Sequence, residues 1–276
     1  MDFAFKKLEY EYAKFVGSKY AVSCNSGTSA LHLGLLSLGI GKGDEVICPD
    51  FTMAACGFAI SYTGAKPVFV DCDDTLCIDP NLIESKITKN TKAIMAVHIY
   101  GRLCRMDKIL KIAKKYHLKV IEDACEAQGA VYKSKADITC YSFYENKIIH
   151  AEEGGICTTD NKKYADRINY LKNMAFSPAH DYMHLEIGYN YRMPNSQAKL
   201  ALKSLKDYPK ENKRRREIEK KFYGYTWLDA VWVLPNIRGV GDRKFFKPLS
   251  TFPMYGGKCQ SPKALYYSKI GHYIKI

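Results

Sequence analysis

The sequence predicts a three-layer α/β domain built on a mostly parallel sheet, and three observations carry that prediction. The first two-thirds of the 276 residues alternates helix-like and strand-like segments with short connections, which is the rhythm of βα units. The strand candidates are continuous apolar runs, as expected when helices cover both faces of a sheet. A chain of this length with 47% hydrophobic residues can also bury a sizeable core.

The elements of this first part follow one another at short intervals. Each apolar strand is bounded by a turn residue such as Pro49 or Gly64, because Pro and Gly interrupt both strands and helices. We expect strands at 20–24, 45–48, 67–70, 93–97 and 119–121, and helices at 8–16, 29–38, 53–62 and 106–116.

The pattern changes from residue 138 onward. Further strands are expected at 138–144 and 156–158, and helices at 163–173, 196–205 and 208–223. The remaining tail is rich in Pro and aromatic residues and has weak periodicity. We therefore expect a large domain over 1–207 and an abbreviated C-terminal small domain over 208–276.

Composition narrows the class of protein. No stretch approaches the roughly 20 apolar residues that a membrane span requires, and the first residues do not resemble a secretory signal. The ten cysteines are scattered and form no CxxC pairs, so we expect reduced thiols, a cytoplasmic protein and no metal site.

The net charge of +13 has two interpretations. The one dense basic run, at 213–216, lies among acidic residues in a helical segment, which favours a solvated helix face over a site for nucleic acid or another polyanion. A basic surface would also suit a substrate that carries a diphosphate.

Three segments could carry chemistry. Ser26, Gly27 and Thr28 open a helix directly after a strand, where they could either cap the helix or hold a phosphate. Asp123 lies at the carboxyl end of a strand, where open α/β sheets bind ligands, although acidic residues also cap helices there. Lys147 follows Ser142 beside a Gly-rich turn, and its amine could form a Schiff base if its pKa is lowered.

Taken in order, these segments resemble the DegT/DnrJ/EryC1/StrS family of pyridoxal-phosphate (PLP) aminotransferases, which act on nucleotide sugars. The resemblance runs from about residue 5 to 206 and returns weakly near 243–255. It rests on seven motifs in family order: SGTSAL at 26–31, GDEVI at 43–47, YTGAKPV at 62–68, VHIYG at 97–101, EDACEA at 122–127, SFYENK at 142–147 and GYNYRM at 188–193. It implies fold type I of the PLP-dependent transferases, with a reduced small domain.

The resemblance also implies roles for single residues. Lys147 would form the Schiff base with the cofactor and move a proton, and Asp123 would keep the pyridine nitrogen protonated. Glu126 matches a position near cofactor and substrate. Met53 stands where the family has an aromatic residue against the cofactor ring, and its thioether can pack there instead.

The phosphate of PLP would be held by the Ser26, Gly27 and Thr28 segment, with a second hydroxyl from Ser142. Asn190 matches a residue that reaches the phosphate site of a neighbouring subunit, so the resemblance implies a homodimer with shared active sites. The implied reaction moves an amino group from glutamate to a keto-sugar, most simply a 4-keto-6-deoxy sugar, on a nucleoside diphosphate.

Departures from the family pattern keep two alternatives open. Glu152 replaces a family glycine in the turn after Lys147, and a positive φ there would strain the loop by about 1–2 kcal/mol. Because the N-terminal and C-terminal segments that cover the substrate are also reduced, a catalytically weak relative that only binds cofactor or nucleotide sugar is one alternative. A PLP-dependent sugar dehydratase is the other, although the retained lysine favours amination.

Overall fold

A seven-stranded sheet forms the centre of the molecule in the computed structural model, which describes residues 3–179, 181–237 and 241–276. Its strands are β1 (Tyr20–Cys24), β2 (Glu45–Pro49), β3 (Lys66–Val70), β4 (Thr91–Val97), β5 (Lys119–Asp123), β6 (Ile138–Ser142) and β7 (Gly155–Thr159). The spatial order is β1-β7-β6-β5-β4-β2-β3. The pairs from β3 to β6 are parallel, whereas β7 is antiparallel to both β6 and β1.

Helices flank this sheet along the chain. They are α1 (Ala4–Val16), α2 (Gly27–Ser37), α3 (Ala54–Tyr62), α4 (Pro80–Ile83), α5 (Met106–Lys115), α6 (Lys162–Lys172), α7 (Asn195–Tyr223) and α8 (Pro262–Ile270). Almost every residue of α2 is buried, because the helix contacts α3, α6 and the strands β6 and β7. Helix α5 instead buries one stripe, with Ile109 and Ala113 inward.

Helix α7 differs from the sequence prediction, which divided this stretch into two helices near residue 207. The structure has a single helix of 29 residues with Pro209 inside it, so the helix crosses the expected domain boundary. Its first half packs with α1, and the residues around Ile218 contact a separate small cluster that includes Leu228 and Val231. Tertiary packing on both halves therefore outweighs the loss of one helical hydrogen bond at proline.

The C-terminal part forms a small antiparallel sheet that lies against the main domain. Its strands are β8 (Val233–Asn236), β9 (Arg243–Lys244) and β10 (His272–Lys275), in the order β8-β10-β9. The division into two domains stays a prediction. Trp232 and Phe245 of the C-terminal part belong to the same hydrophobic cluster as residues of the main sheet, such as Ile94.

Buried polar contacts anchor this C-terminal part to α7. The Arg215 guanidinium is buried and donates to the carbonyl oxygens of Val231 and Trp232, at 3.4 and 2.8 Å. Glu219 is fully buried and accepts from the backbone N–H groups of Trp227 and Leu228. Half of the basic run is thus structural, because the neighbouring Arg216 also donates to backbone carbonyls.

Three expectations about composition can be compared with the described residues. All ten cysteines are free thiols. Among the described helices, none combines the length and apolar character needed to cross a bilayer. Within the same residues, no group of three or more His, Cys, Asp and Glu side chains is arranged to hold a metal ion.

Candidate active site

A cavity of 440 Å³ opens at the carboxyl ends of the central parallel strands. Two groups of residues line it, and we name them by their origin. The sheet wall, which follows the ends of β5 and β6 and the start of α2, consists of Gly27, Asp123, Glu126, Ser142 and Lys147. The C-terminal wall consists of Trp232, Arg243, Phe246 and Tyr273. Parallel strands end at the same edge of a sheet, which is why motifs far apart in sequence meet here.

Lys147 points into this cavity, since its side chain is only 11% exposed, unlike an ordinary surface lysine. Its Nζ lies 3.8 Å from Oε1 of Glu126 and 3.8 Å from the centre of the Trp232 ring. A tight turn presents it, in which the Lys147 N–H donates to the Tyr144 carbonyl at 2.9 Å. The amine is therefore held between a carboxyl group and an aromatic face.

Glu126 is a buried carboxyl group whose surroundings both raise and lower its pKa. Burial raises its pKa to about 7, although the nearby Lys147 and the backbone N–H of Tyr100, which donates to Oε2 at 2.7 Å, lower it. Tyr100 has a left-handed backbone with φ of 50° and stacks between Trp232 and Phe246. Near neutral pH this carboxyl group can therefore exchange a proton with a partner in the cavity.

Asp123 ends β5 with its carboxylate buried against the cavity. Its Oδ1 accepts from the backbone N–H of Cys125 at 3.0 Å, and its Oδ2 accepts from the Cys56 thiol at 3.2 Å. Two donors on different elements therefore fix the orientation of this carboxylate.

The start of α2 shows the capping role that the sequence left open, while its role in holding a phosphate stays a prediction. Ser26 is the N-cap, and its Oγ accepts from the Ser29 N–H at 3.0 Å. Gly27 touches β6, because a Cβ at this position would lie 2.7 Å from the Cβ of Ser142. Ser26, Gly27, Thr28 and Ser142 all line the cavity, so the first N–H groups of the helix face the space where an anion would sit.

Met53 and Asn190 occupy different positions relative to this cavity. Met53 precedes α3, is 52% exposed and lines the mouth. Asn190 is exposed and lies outside the cavity of its own chain, where its Oδ1 accepts from Arg192 at 2.8 Å. Within one chain the structure thus brings together every predicted site residue except Asn190.

Glu152 meets the condition under which the sequence predicted strain, namely a positive φ. Its φ is 62°, in the left-handed region that favours glycine. The turn is nevertheless closed by backbone hydrogen bonds, in which the Glu145 N–H donates to the Glu152 carbonyl and the Ala151 N–H to the Phe143 carbonyl.

Sequence reasoning did not find the C-terminal wall. Trp232, Phe246 and Tyr273 belong to no motif, and the weak family resemblance near residue 243 was the one signal in this stretch. Arg215 and Glu219 of α7 hold the backbone at and before Trp232, and the Phe246 N–H donates to the Tyr100 hydroxyl at 3.1 Å.

The residues of the cavity fit PLP in both chemistry and shape. A buried amine faces one side, a fixed carboxylate that can hold a protonated ring nitrogen lies in the same space, and the glycine at the start of α2 leaves room where a Cβ would collide with Ser142.

Comparison with known proteins identifies the family. The model of the DegT/DnrJ/EryC1/StrS aminotransferase family matches residues 4–224. The chain belongs to this family. The GDP-perosamine synthase of Caulobacter vibrioides is 44% identical over 205 residues, which cover 72% of the chain and 55% of that protein. The GDP-perosamine synthase of Escherichia coli O157:H7 is 45% identical over an alignment of 289 residues, covering 92% of the chain and 79% of that protein.

Solved structures agree with the fold. S. venezuelae DesV, in complex with a ketimine intermediate, has a TM-score of 0.90 and 29% identity, with 99% of this chain and 84% of that chain covered. The predicted PLP-dependent transferase fold is confirmed, and aminotransferases of the DegT family depend on PLP. The chain spans 55% and 79% of the length of the two synthases.

Proposed function

We propose that this chain is a PLP-dependent aminotransferase that moves an amino group from glutamate to a keto-sugar carried on a nucleoside diphosphate. The observation that carries the proposal is the Lys147 amine, which is buried in the same cavity as the Asp123 carboxylate. A GDP-linked 4-keto-6-deoxy sugar is the first substrate to try, because the two synthases described above are named for a GDP-linked amino sugar.

The cofactor and the protein divide the work. When bound, PLP supplies an electron sink for the carbon that gains or loses the amino group. Lys147 anchors the cofactor and then, as a free amine, carries a proton at Nζ to and from the reacting carbon. Asp123 stabilises the positive charge on the ring nitrogen, on which the electron sink depends.

Glu126 completes the proton path of this proposal. Its pKa of about 7 lets it hold or release a proton near neutral pH, and its Oε1 lies 3.8 Å from the Lys147 Nζ. A proton carried by Glu126 is therefore close to the lysine side chain that anchors the cofactor.

Both phosphate-bearing molecules have candidate partners in the cavity lining. The Ser26, Gly27 and Thr28 segment and the Ser142 hydroxyl would hold the cofactor phosphate, and Met53 would pack against the cofactor ring. Arg243 is exposed on the C-terminal wall, where its guanidinium can pair with the diphosphate of the sugar nucleotide.

The proposed enzyme is a homodimer in which Asn190 completes the cofactor phosphate site of the neighbouring subunit. Exposed apolar side chains near Asn190 support this arrangement, since Tyr182 and Ile187 are 87% and 82% exposed. Analytical ultracentrifugation tests it: a monomer at micromolar concentration would contradict the dimer. We also propose the cytoplasm as its compartment, where ten free thiols stay reduced.

The decisive experiment is the absorbance spectrum of the purified protein with PLP, before and after glutamate. We expect a visible Schiff-base band that glutamate removes while 2-oxoglutarate appears. Lys147→Ala should lose the band, whereas Lys163→Ala, a surface lysine on α6, should keep it. An unchanged band in Lys147→Ala would remove Lys147 from this role.

Two other outcomes would favour the alternatives. A band that ignores glutamate would indicate a relative that keeps the cofactor without aminating, for which the strain at Glu152 is the supporting observation. A deoxygenated sugar product in place of an amino sugar, identified by mass spectrometry, would indicate a dehydratase.

A further inference from the structure

The Asp123 carboxylate receives an unusual donor. Oδ1 is bonded by the backbone N–H of Cys125, which lies in the same turn, but Oδ2 is bonded by the Cys56 thiol, which projects from α3. The thiol is therefore the contact through which α3 fixes the carboxylate side chain in its rotamer.

The proton of this hydrogen bond belongs to sulfur. Cys56 is fully buried, and burial, together with the charge on Asp123, raises the pKa of its thiol well above the usual value. The thiol has one hydrogen, which it donates to Asp123, so the Thr52 hydroxyl at 3.3 Å from Sγ acts as the donor to sulfur. A directed chain results, from Thr52 to Cys56 to Asp123.

We propose that Cys56 is a positioning residue that orients the Asp123 carboxylate towards the pyridine nitrogen of the cofactor. The inference rests on the proposed use of PLP at this site. A thiol is a weaker donor than a hydroxyl, so it holds the carboxylate while withdrawing little charge from it.

Other titratable groups also surround Asp123, and the test must separate them from Cys56. His98 donates its backbone N–H to the Asp123 carbonyl, and the Cys125 thiol and the Glu126 carboxyl group interact electrostatically with the Asp123 carboxylate. A matched control is therefore a buried thiol bonded to backbone. Cys104 is suitable, because its thiol donates to the Val97 carbonyl at 3.0 Å.

The first measurement is a pH titration of the Asp123 carboxyl group in the full chain without PLP. The chemical shift of its carboxyl carbon, recorded by ¹³C NMR, reports the protonation. Removing a donor from the charged form raises the pKa of a carboxyl group. We expect Cys56→Ala to raise it, Cys56→Ser to lower it below the wild-type value, and Cys104→Ala to leave it unchanged. Equal values in all four proteins would overturn the proposal, whether or not the chain binds PLP.

The second measurement is PLP binding by the same four proteins, with ring-¹⁵N-labelled cofactor to report protonation of its nitrogen. Cys56→Ala should weaken the binding of PLP about tenfold or more, as expected when a hydrogen bond to a charged group is lost. It should also shift the ¹⁵N signal of the cofactor towards that of the unprotonated ring nitrogen. Cys56→Ser should regain most of the affinity. If wild type fails to bind PLP, the proposed function fails, while the Asp123 titration still decides the role of Cys56.

An ordinary packing role for Cys56 predicts a different pattern. Cys56→Ala and Cys104→Ala would then lose similar thermal stability, both would bind PLP like wild type, and the ¹⁵N signal would not move. That result would overturn the positioning role.

Discussion

The two walls of the cavity are built in different ways. The residues of the sheet wall lie at or soon after the ends of β5 and β6 and at the start of α2, so the main sheet places them. In the C-terminal wall, Arg243 and Tyr273 lie on β9 and β10 of the small sheet, and Trp232 lies just before β8, where Arg215 of α7 bonds to the backbone. The sheet wall carries the carboxyl groups of Asp123 and Glu126 and the Lys147 amine, and Trp232 of the C-terminal wall covers that amine.

Gly27→Ala should produce the largest effect and should act on the sheet wall alone. The new Cβ would lie 2.7 Å from the Cβ of Ser142, so α2 must move away from the phosphate site. We expect PLP binding to be lost in an equilibrium titration. Gly41→Ala is the control, because a Cβ there meets nothing within 4 Å and should leave binding unchanged. Normal PLP affinity in Gly27→Ala would refute the assigned phosphate site.

Trp232→Ala tests the C-terminal wall. The indole stacks on Tyr100, donates to the Asn146 carbonyl at 2.9 Å and covers the Lys147 amine. We expect a loss of about 3–5 kcal/mol in the free energy of unfolding, as for other buried large-to-small changes, and a higher KM for the sugar nucleotide.

The other tryptophan provides the control for this change. Trp227 lies outside the cavity, where its ring faces the Arg102 guanidinium. Trp227→Ala should therefore lower stability without changing KM in steady-state kinetics. If both variants raise KM equally, the C-terminal wall would have no direct contact with substrate.

Glu126→Gln should change how stability depends on pH. The folded pKa of about 7 lies above the ordinary 4.5, so the carboxyl group contributes stability that is fully present below pH 4.5 and lost as the pH rises through 7. As the pH rises from 4.5 through 7, the free energy of unfolding of the wild type without cofactor should fall by on the order of 3 kcal/mol relative to that of the variant.

Urea denaturation at several pH values measures this difference. Glu153→Gln, an exposed carboxyl group at the same cavity, is the control and should retain the wild-type slope. A Glu126→Gln protein with an unchanged slope would show that Glu126 is not perturbed.

Glu152→Gly should give the smallest effect, and it should be favourable. Glycine adopts a φ of 62° without the strain that a side chain adds. We therefore expect the free energy of unfolding, measured by thermal denaturation, to rise by about 1 kcal/mol. Glu153→Gly should be destabilising, because the left-handed conformation belongs to Glu152 and not to its neighbour. The same sign for both variants would argue against strain in this turn.

The same contrast explains what could be predicted from sequence. Asp123, Ser142 and Lys147 follow apolar strands within short motifs, so their meeting at one edge of the sheet could be inferred from strand order alone. Cys56 was not predicted, because its role depends on a contact between α3 and β5 that sequence spacing does not reveal. Trp232 and Tyr273 were not predicted either, because the C-terminal segment has weak periodicity in sequence and its packing against the main domain brings these side chains to the cavity.

Helix α7 connects these two walls, and Pro209 lies where its two packing surfaces meet. The residues up to Tyr208 pack on the main domain, whereas those from Arg215 onward hold the C-terminal wall. Since proline lacks the N–H that would bond the preceding turn, the helix bends there more easily than at any other residue along its length of about 43 Å. A change in the bend at Pro209 would therefore move the C-terminal wall relative to the sheet wall.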